Sequence, residues 1–274
     1  RGAQSENPAR IVLLDRDERS LSARAVLAAL VHADAEPQLA VRGGEVRVPR
    51  LAKASTRKVL ATPDTPHWRL GVEPSGSLDN VTLVPAPEAA APLGPTEVRV
   101  ELRALGVNFR DVLIALDMYP GTAVMGGEGA GIVLEVGAEV SGLEPGDRVM
   151  GAFPGCGRVA VTDYRLLSTF PDWWSFAEAA TVPIAYLTAF YGLRDLADAR
   201  EGEHLLLHAA TGGVGTAALQ LARHWNLTVS ATASPPKQDL LRTWGLDEDH
   251  IANSRTAEFE QRFAQQCIDI VLHC

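Results

Sequence analysis

Two hydrophobic rhythms divide the chain. From residue 204 onward, short apolar runs lead into glycine turns and then into segments with helical spacing. His204 to Leu207 reads as a buried strand, His208-Ala-Ala-Thr-Gly-Gly-Val-Gly215 as a turn, and Thr216 to Arg223 as the helix it opens. Thr228 to Thr232 is the next strand, Gln238 to Trp244 a helix, and Ile268 to Cys274 the start of another buried strand. Between Trp68 and about Trp173 the rhythm is short strands set between Gly and Pro. Trp68 to Val72, the strictly alternating Val98 to Arg103, Gly131 to Val136 and Arg148 to Ala152 are strands of this kind. Phe176 to Thr181 and Ala185 to Leu196 are helices bridging the two patterns. A separate first segment offers a strand at Arg10 to Asp15, a helix at Arg19 to Val31, and a hairpin. In the hairpin, Gln38 to Arg42 turns at Gly43-Gly44 into Glu45 to Val48. The turn-rich Thr62 to Pro66 follows. The predicted domains are therefore residues 1–61, 62–173 and 174–274.

The glycine turn asks for a specific chemistry. A pyrophosphate needs free backbone N–H groups at a helix N-terminus and glycines that allow close approach. Gly213-Val-Gly215-Thr-Ala-Ala218 fits the G-x-G-x-x-G/A fingerprint, which makes Thr211, Gly212, Gly213, Val214 and Gly215 the candidate cofactor-binding residues. The alternative is a plain glycine turn in an α/β core. An NAD site places an acid about 20 residues on, to bond the ribose 2′-OH. Here that region reads Ala233-Ser234-Pro235-Pro236-Lys237, without one. A Ser234 hydroxyl and a Lys237 ammonium suit a 2′-phosphate, so NADPH is the expected cofactor. Otherwise Lys237 is a solvated residue opening a helix.

Composition narrows the partners. The 274 residues are 46% apolar and 22% charged, and a net charge of −9 disfavours nucleic acid and anionic membranes. Cys156, Cys267 and Cys274 show neither metal-ligand spacing nor a pairing signature, which suits a reducing cytoplasm. Both ends look cut, and the last strand reads as the opening of an incomplete sheet.

The ordered words Gly106-Val-Asn-Phe-Arg-Asp111, Met118-Tyr-Pro-Gly121, Gly126-Gly-Glu-Gly-Ala-Gly131, Pro145-Gly-Asp-Arg-Val149 and His208 to Gly215 carry a family resemblance. They resemble the medium-chain dehydrogenase/reductase superfamily, and within it the zinc-free enoyl reductase domains of modular polyketide synthases. The implied fold is α/β: a GroES-like β-barrel substrate domain plus a Rossmann-type nucleotide domain incomplete at its C-terminus. The leading segment, ending in Leu39 to Leu51, resembles the structural half of a ketoreductase.

No metal is expected. Gly126-Gly127-Glu128 lacks a histidine, no cysteine sits near Asn108, and no four-cysteine lobe exists. Glu128 is instead expected to bond backbone amides. The resemblance implies reduction of a 2-enoyl thioester on the phosphopantetheine arm of an acyl carrier protein, beside a ketoreductase domain of the same polypeptide. Tyr119 is the candidate for positioning or proton donation, since a phenol is a competent acid toward an enolate. In similar domains a tyrosine here goes with an S α-methyl branch. Its alternative is a half-buried aromatic packing in a loop. Asn108 is the candidate holder of the nicotinamide amide or the thioester oxygen, or else a turn-former before a helix at Phe109 to Leu116. Thr188 is expected near the nicotinamide, Arg110 and Asp111 as a local salt bridge, and His208 as a satisfied core histidine. Similar reductases carry further proton-delivery candidates downstream of the position of Cys274, so a piece ending there is expected to be inactive alone. A zinc-free quinone reductase and a silent scaffold domain are the rival readings.

Overall fold

The computed structural model describes residues 12–16, 38–42, 45–48 and 59–273. The polar segment 1–9, the helix at Arg19 to Val31, the Gly43-Gly44 turn and Cys274 lie outside the described residues. The chain forms two units, residues 1–59 and 60–274.

In the first unit, β1 (Leu13–Arg16) runs parallel to β2 (Gln38–Arg42), which pairs antiparallel with β3 (Glu45–Arg47). Alternation explains the pairing. Leu39 and Val41 point to one buried side, where Leu14 and Val46 meet them, and Arg42 pairs with Asp15 outside.

The second unit opens with the two-stranded β4 (Trp68–Val72) and β5 (Val81–Pro85). A five-stranded antiparallel sheet follows, in the order β10-β8-β7-β6-β9. Its members are β6 (Glu97–Gly106), β7 (Glu128–Val136), β8 (Arg148–Ala152), β9 (Val159–Asp163) and β10 (Leu167–Thr169). β6 carries two register shifts against β7, and such bulges sharpen the twist that curls a sheet. Its inward residues Val98 and Val100 join Val133, Val149 and Phe153 in the core. Between β6 and β7 the chain makes helix α1 (Phe109–Ala115).

Helices α2 (Phe176–Ala179) and α3 (Pro183–Phe190) lead out of the barrel, and α3 continues through a π-helical turn, Tyr191–Leu196. The final sheet is wholly parallel, ordered β13-β12-β11-β14. Its strands are β11 (His204–Leu207), β12 (Thr228–Ala233), β13 (Ile251–Asn253) and β14 (Ile270–Leu272). In chain order this is 3-2-1-4, the first half of a dinucleotide-binding sheet with one strand across the switch point. Helix α4 (Gly213–His224) follows β11, and its buried Ala217, Ala218 and Ala222 pack against Leu205 and Leu207. Small side chains on that stripe let helix and sheet approach closely.

Candidate active site

The barrel contributes a cluster of polar groups sealed from water. Asp111 is 3% exposed and Glu128 is 4% exposed. Buried carboxylates persist only where N–H donors meet their oxygens. Asp111 accepts the backbone N–H of Asn108 at 2.8 Å and that of Gly126 at 2.8 Å. It thereby ties the N-terminus of α1 to the glycine-rich segment before β7. Glu128 accepts Asn108 Nδ2 at 2.7 Å through one oxygen and the Ile184 N–H at 2.8 Å through the other. Ile184 lies in the first turn of α3, whose free N–H groups and dipole favour a carboxylate. Room for Glu128 comes from Gly106, where a Cβ would stand 2.5 Å from its Cγ. Beneath these groups lies Cys156, whose thiol is pushed up to about 12 by burial and then by Asp111 and Glu128.

The expected Arg110–Asp111 salt bridge does not form. Neighbours on a helix point about 100° apart, so Asp111 turns inward while Arg110 turns out. The Arg110 guanidinium instead lies over the Tyr119 ring, 5.0 Å from its centroid. The Tyr119 ring rests against the cluster of Ile114, Ala115 and Met125. Among the described residues its hydroxyl makes no hydrogen bond and Arg110 makes no ion pair. Asn108 does stand before a helix, as the residue preceding α1, but one of its amide hydrogens belongs to Glu128.

The second group lies along the C-terminal edge of the parallel sheet. Gly212 precedes α4, and the helical ladder closes first at Thr216, whose N–H reaches the Gly212 carbonyl at 2.8 Å. The N–H groups of Gly213, Val214 and Gly215 therefore begin the helix without intrahelical acceptors. A Cβ on Gly213 would meet nothing within 4 Å, whereas one on Gly215 would stand 2.5 Å from the Ala209 carbonyl oxygen. One glycine leaves open space for a ligand, and the other packs helix on strand. A cavity of about 690 Å³ opens on this turn, lined by Trp174, Thr181, Ala185, Gly213, Thr216 and Gln220 among others. Ser234 is the first residue past β12, and Lys237 ends the short 3-10 turn after it, exposed and without an ion pair among the described residues. A row of free N–H groups, open space above Gly213, and a hydroxyl and a cation past the next strand fit a dinucleotide phosphate.

Thr188 is exposed on α3, and its hydroxyl makes no hydrogen bond among the described residues. The Glu128–Ile184 bond ties the first group to α3, which reaches the second through Ala185 in the cavity lining and through Tyr186, whose hydroxyl donates to Gln220 on α4 at 2.6 Å. The sequence held one sign of it, since Val182-Pro183-Ile184 marks a helix start with N–H groups to satisfy. Among the described residues no three His, Cys, Asp or Glu side chains are gathered as a metal would need, and no helix is long and apolar enough to cross a membrane.

A curled antiparallel sheet joined through two helices to a 3-2-1-4 nucleotide sheet is the architecture of medium-chain dehydrogenases/reductases. Residues 94–190 match the alcohol dehydrogenase GroES-like domain, and residues 1–51 match the Rossmann fold domain of polyketide synthase extender module SpnB. The spectinabilin polyketide synthase system protein NorB of Streptomyces orinoci is 52% identical over 276 residues, covering 100% of this chain and 13% of its own length. The phenolphthiocerol synthesis polyketide synthase type I Pks15/1 of Mycobacterium marinum is 51% identical, over 99% of this chain and again 13% of its own length. The chain thus spans about an eighth of these relatives. Among solved structures, CurK enoyl reductase superposes with a TM-score of 0.67 at 37% identity, over 75% of this chain and 66% of its own. The chain belongs to the medium-chain dehydrogenase/reductase superfamily, as an enoyl reductase region of the modular polyketide synthase type.

Proposed function

We propose that this region reduces the α,β-double bond of a 2-enoyl thioester carried on the phosphopantetheine arm of an acyl carrier protein, with NADPH as reductant, in a cytoplasmic multienzyme that also holds a ketoreductase domain. In this reading residues 62–173 form the substrate domain and 174–274 the nucleotide domain, after a ketoreductase-like piece with its linker at 1–61. The observation that carries it is the start of α4, where three N–H groups lack an intrahelical acceptor and Gly213 borders open space, in a chain akin to enoyl reductases. A mycobacterial relative, Rv1454c, was solved complexed with NADPH, at 27% identity and a TM-score of 0.61.

Gly213, Val214 and Gly215 hold the pyrophosphate through their N–H groups, with Thr211 and Gly212 shaping the turn. Ser234 donates to the 2′-phosphate and Lys237 supplies a cation beside it. Thr188, exposed on α3, would border the nicotinamide. A dinucleotide bound there would supply the hydride for the β-carbon of the enoyl thioester. Asn108, anchored through one amide hydrogen, keeps its second hydrogen and its carbonyl for the thioester oxygen or the nicotinamide amide. Tyr119, placed beneath Arg110, delivers a proton to the α-carbon, on the face that gives an S branch where the substrate carries an α-methyl group.

The test is NADPH and NADH oxidation by the full-length protein with a 2-enoyl pantetheine thioester, beside a benzoquinone control. Thioester turnover with NADPH preferred is expected. Turnover with quinone alone, or none despite tight NADPH binding, overturns the proposal.

A further inference from the structure

His208 and Thr232 have no role in the scheme above, yet they flank the strained residue of the glycine turn. Ala209 has φ +50°, the left-handed region that a side chain disfavours. Its N–H donates to Thr232 Oγ1 at 3.3 Å, and its carbonyl accepts the Gly212 N–H at 2.8 Å. The same carbonyl is the atom against which Gly215 packs. Ala209 therefore sets both where α4 starts and how near the helix lies to the strand.

Thr232 is 0% exposed, and its hydroxyl also meets His208 Nδ1 at 3.2 Å. A hydroxyl that accepts the Ala209 N–H has its own hydrogen to give, and the Nδ1 of a neutral imidazole takes it. Partial burial, and then His273, hold His208 below the usual histidine pKa and favour that neutral form. Phe259 fixes the ring edge to face, with centroids 4.9 Å apart. A glycine at 209 would reach the left-handed region unaided, but an alanine is held there by its surroundings.

We propose that His208 and Thr232 are positioning residues for nucleotide binding: their pair holds Ala209 left-handed and so aims the N–H groups of Gly213 to Gly215 at the pyrophosphate. This rests on the reading of that turn as the nucleotide site.

The test is fluorescence titration of the full-length protein with NADPH and NADH. Thr232→Val is expected to weaken both nucleotides about 10-fold, the equivalent of releasing one strained residue. Thr232→Ser keeps the hydroxyl and the affinity. Adding Ala209→Gly to Thr232→Val restores most of the loss, because glycine needs no clamp. His208→Asn, which offers an amide oxygen near the position of Nδ1, stays close to the parent, while His208→Leu falls with Thr232→Val. These last two variants decide the matter even where Thr232→Val fails to fold. Affinity that survives Thr232→Val or His208→Leu, or a loss that Ala209→Gly leaves untouched, overturns the clamp alone. Absence of binding by the unaltered protein overturns the nucleotide reading, and the clamp with it.

Discussion

The barrel and the nucleotide sheet solve the same problem, holding a functional turn still, by opposite means. In the barrel, two buried carboxylates gather N–H groups from segments 15 to 56 residues away, as in Asp111 to Gly126 and Glu128 to Ile184. In the nucleotide sheet the turn is held by backbone, by alanine-lined packing and by a neutral histidine–hydroxyl pair between adjacent strands. The barrel's fixings are charged and buried, so removing one strands its partners in a dry interior. The sheet's fixings are neutral, so removing one leaves no charge stranded and costs less stability unless a Cβ intrudes.

That contrast predicts an order of damage. Asp111→Ala leaves two N–H groups without an acceptor, and urea unfolding is expected to show a loss of about 2–4 kcal/mol. An unchanged midpoint would mean that the barrel does not depend on its buried acid. Next, Gly215→Ala forces helix and strand apart and is expected to cost about 1–3 kcal/mol. Gly213→Ala meets open space, so its thermal midpoint should stay near the parent's, and equal losses at both glycines would erase the distinction drawn here.

A smaller effect concerns pH. Burial first, then His250, lowers the pKa of His204, with Asp269 acting the other way, and burial and His273 lower that of His208. The unfolded chain then takes up these protons first. The stability they confer is full above about pH 6.5, the ordinary histidine value, and is lost as pH falls below it. The fall in melting temperature between pH 7 and pH 5 should be shallower in His204→Gln and His208→Asn. The smallest test is chemical. Cys156, buried and with its thiol pushed up to about 12, should resist iodoacetamide at pH 7.5 until the protein is unfolded. The exposed Cys267 should react at once.

The sequence was legible where structure is local. Trp68–Val72, Arg148–Ala152 and His204–Leu207 are strands with the predicted bounds, because alternation or a short apolar run fixes them without help from elsewhere. The strand predicted at Gly131 starts at Glu128, since pairing with β6 and β8 extends it through glycines that have no strand preference of their own. Val81–Pro85 and Val159–Asp163 are further strands that the spacing alone does not mark, although their Val and Thr residues favour strands. The helix read as running from Ala185 to Leu196 begins earlier, at Pro183, and changes to π geometry at Tyr191, which no spacing rule reveals. Within the barrel cluster, Asn108 and Glu128 stood out singly, but their bond spans 20 residues and needed the fold. Arg110 was read against its neighbour in the chain, when its partner Tyr119 lies across a loop.

Arg148 carries a consequence for exchanging such regions between synthases. From β8 it reaches into the loop beyond β10, its guanidinium 4.6 Å from the Phe170 ring and 4.8 Å from that of Phe176. It also donates to the carbonyls of Asp172 at 2.8 Å and Trp174 at 2.6 Å. A splice at 173/174 falls where strands give way to helices, yet it would part Arg148 from Phe176 and Trp174, and Glu128 from Ile184. The GroES-like match runs on to residue 190, the last residue of α3, so a graft joined there travels with its own fastenings.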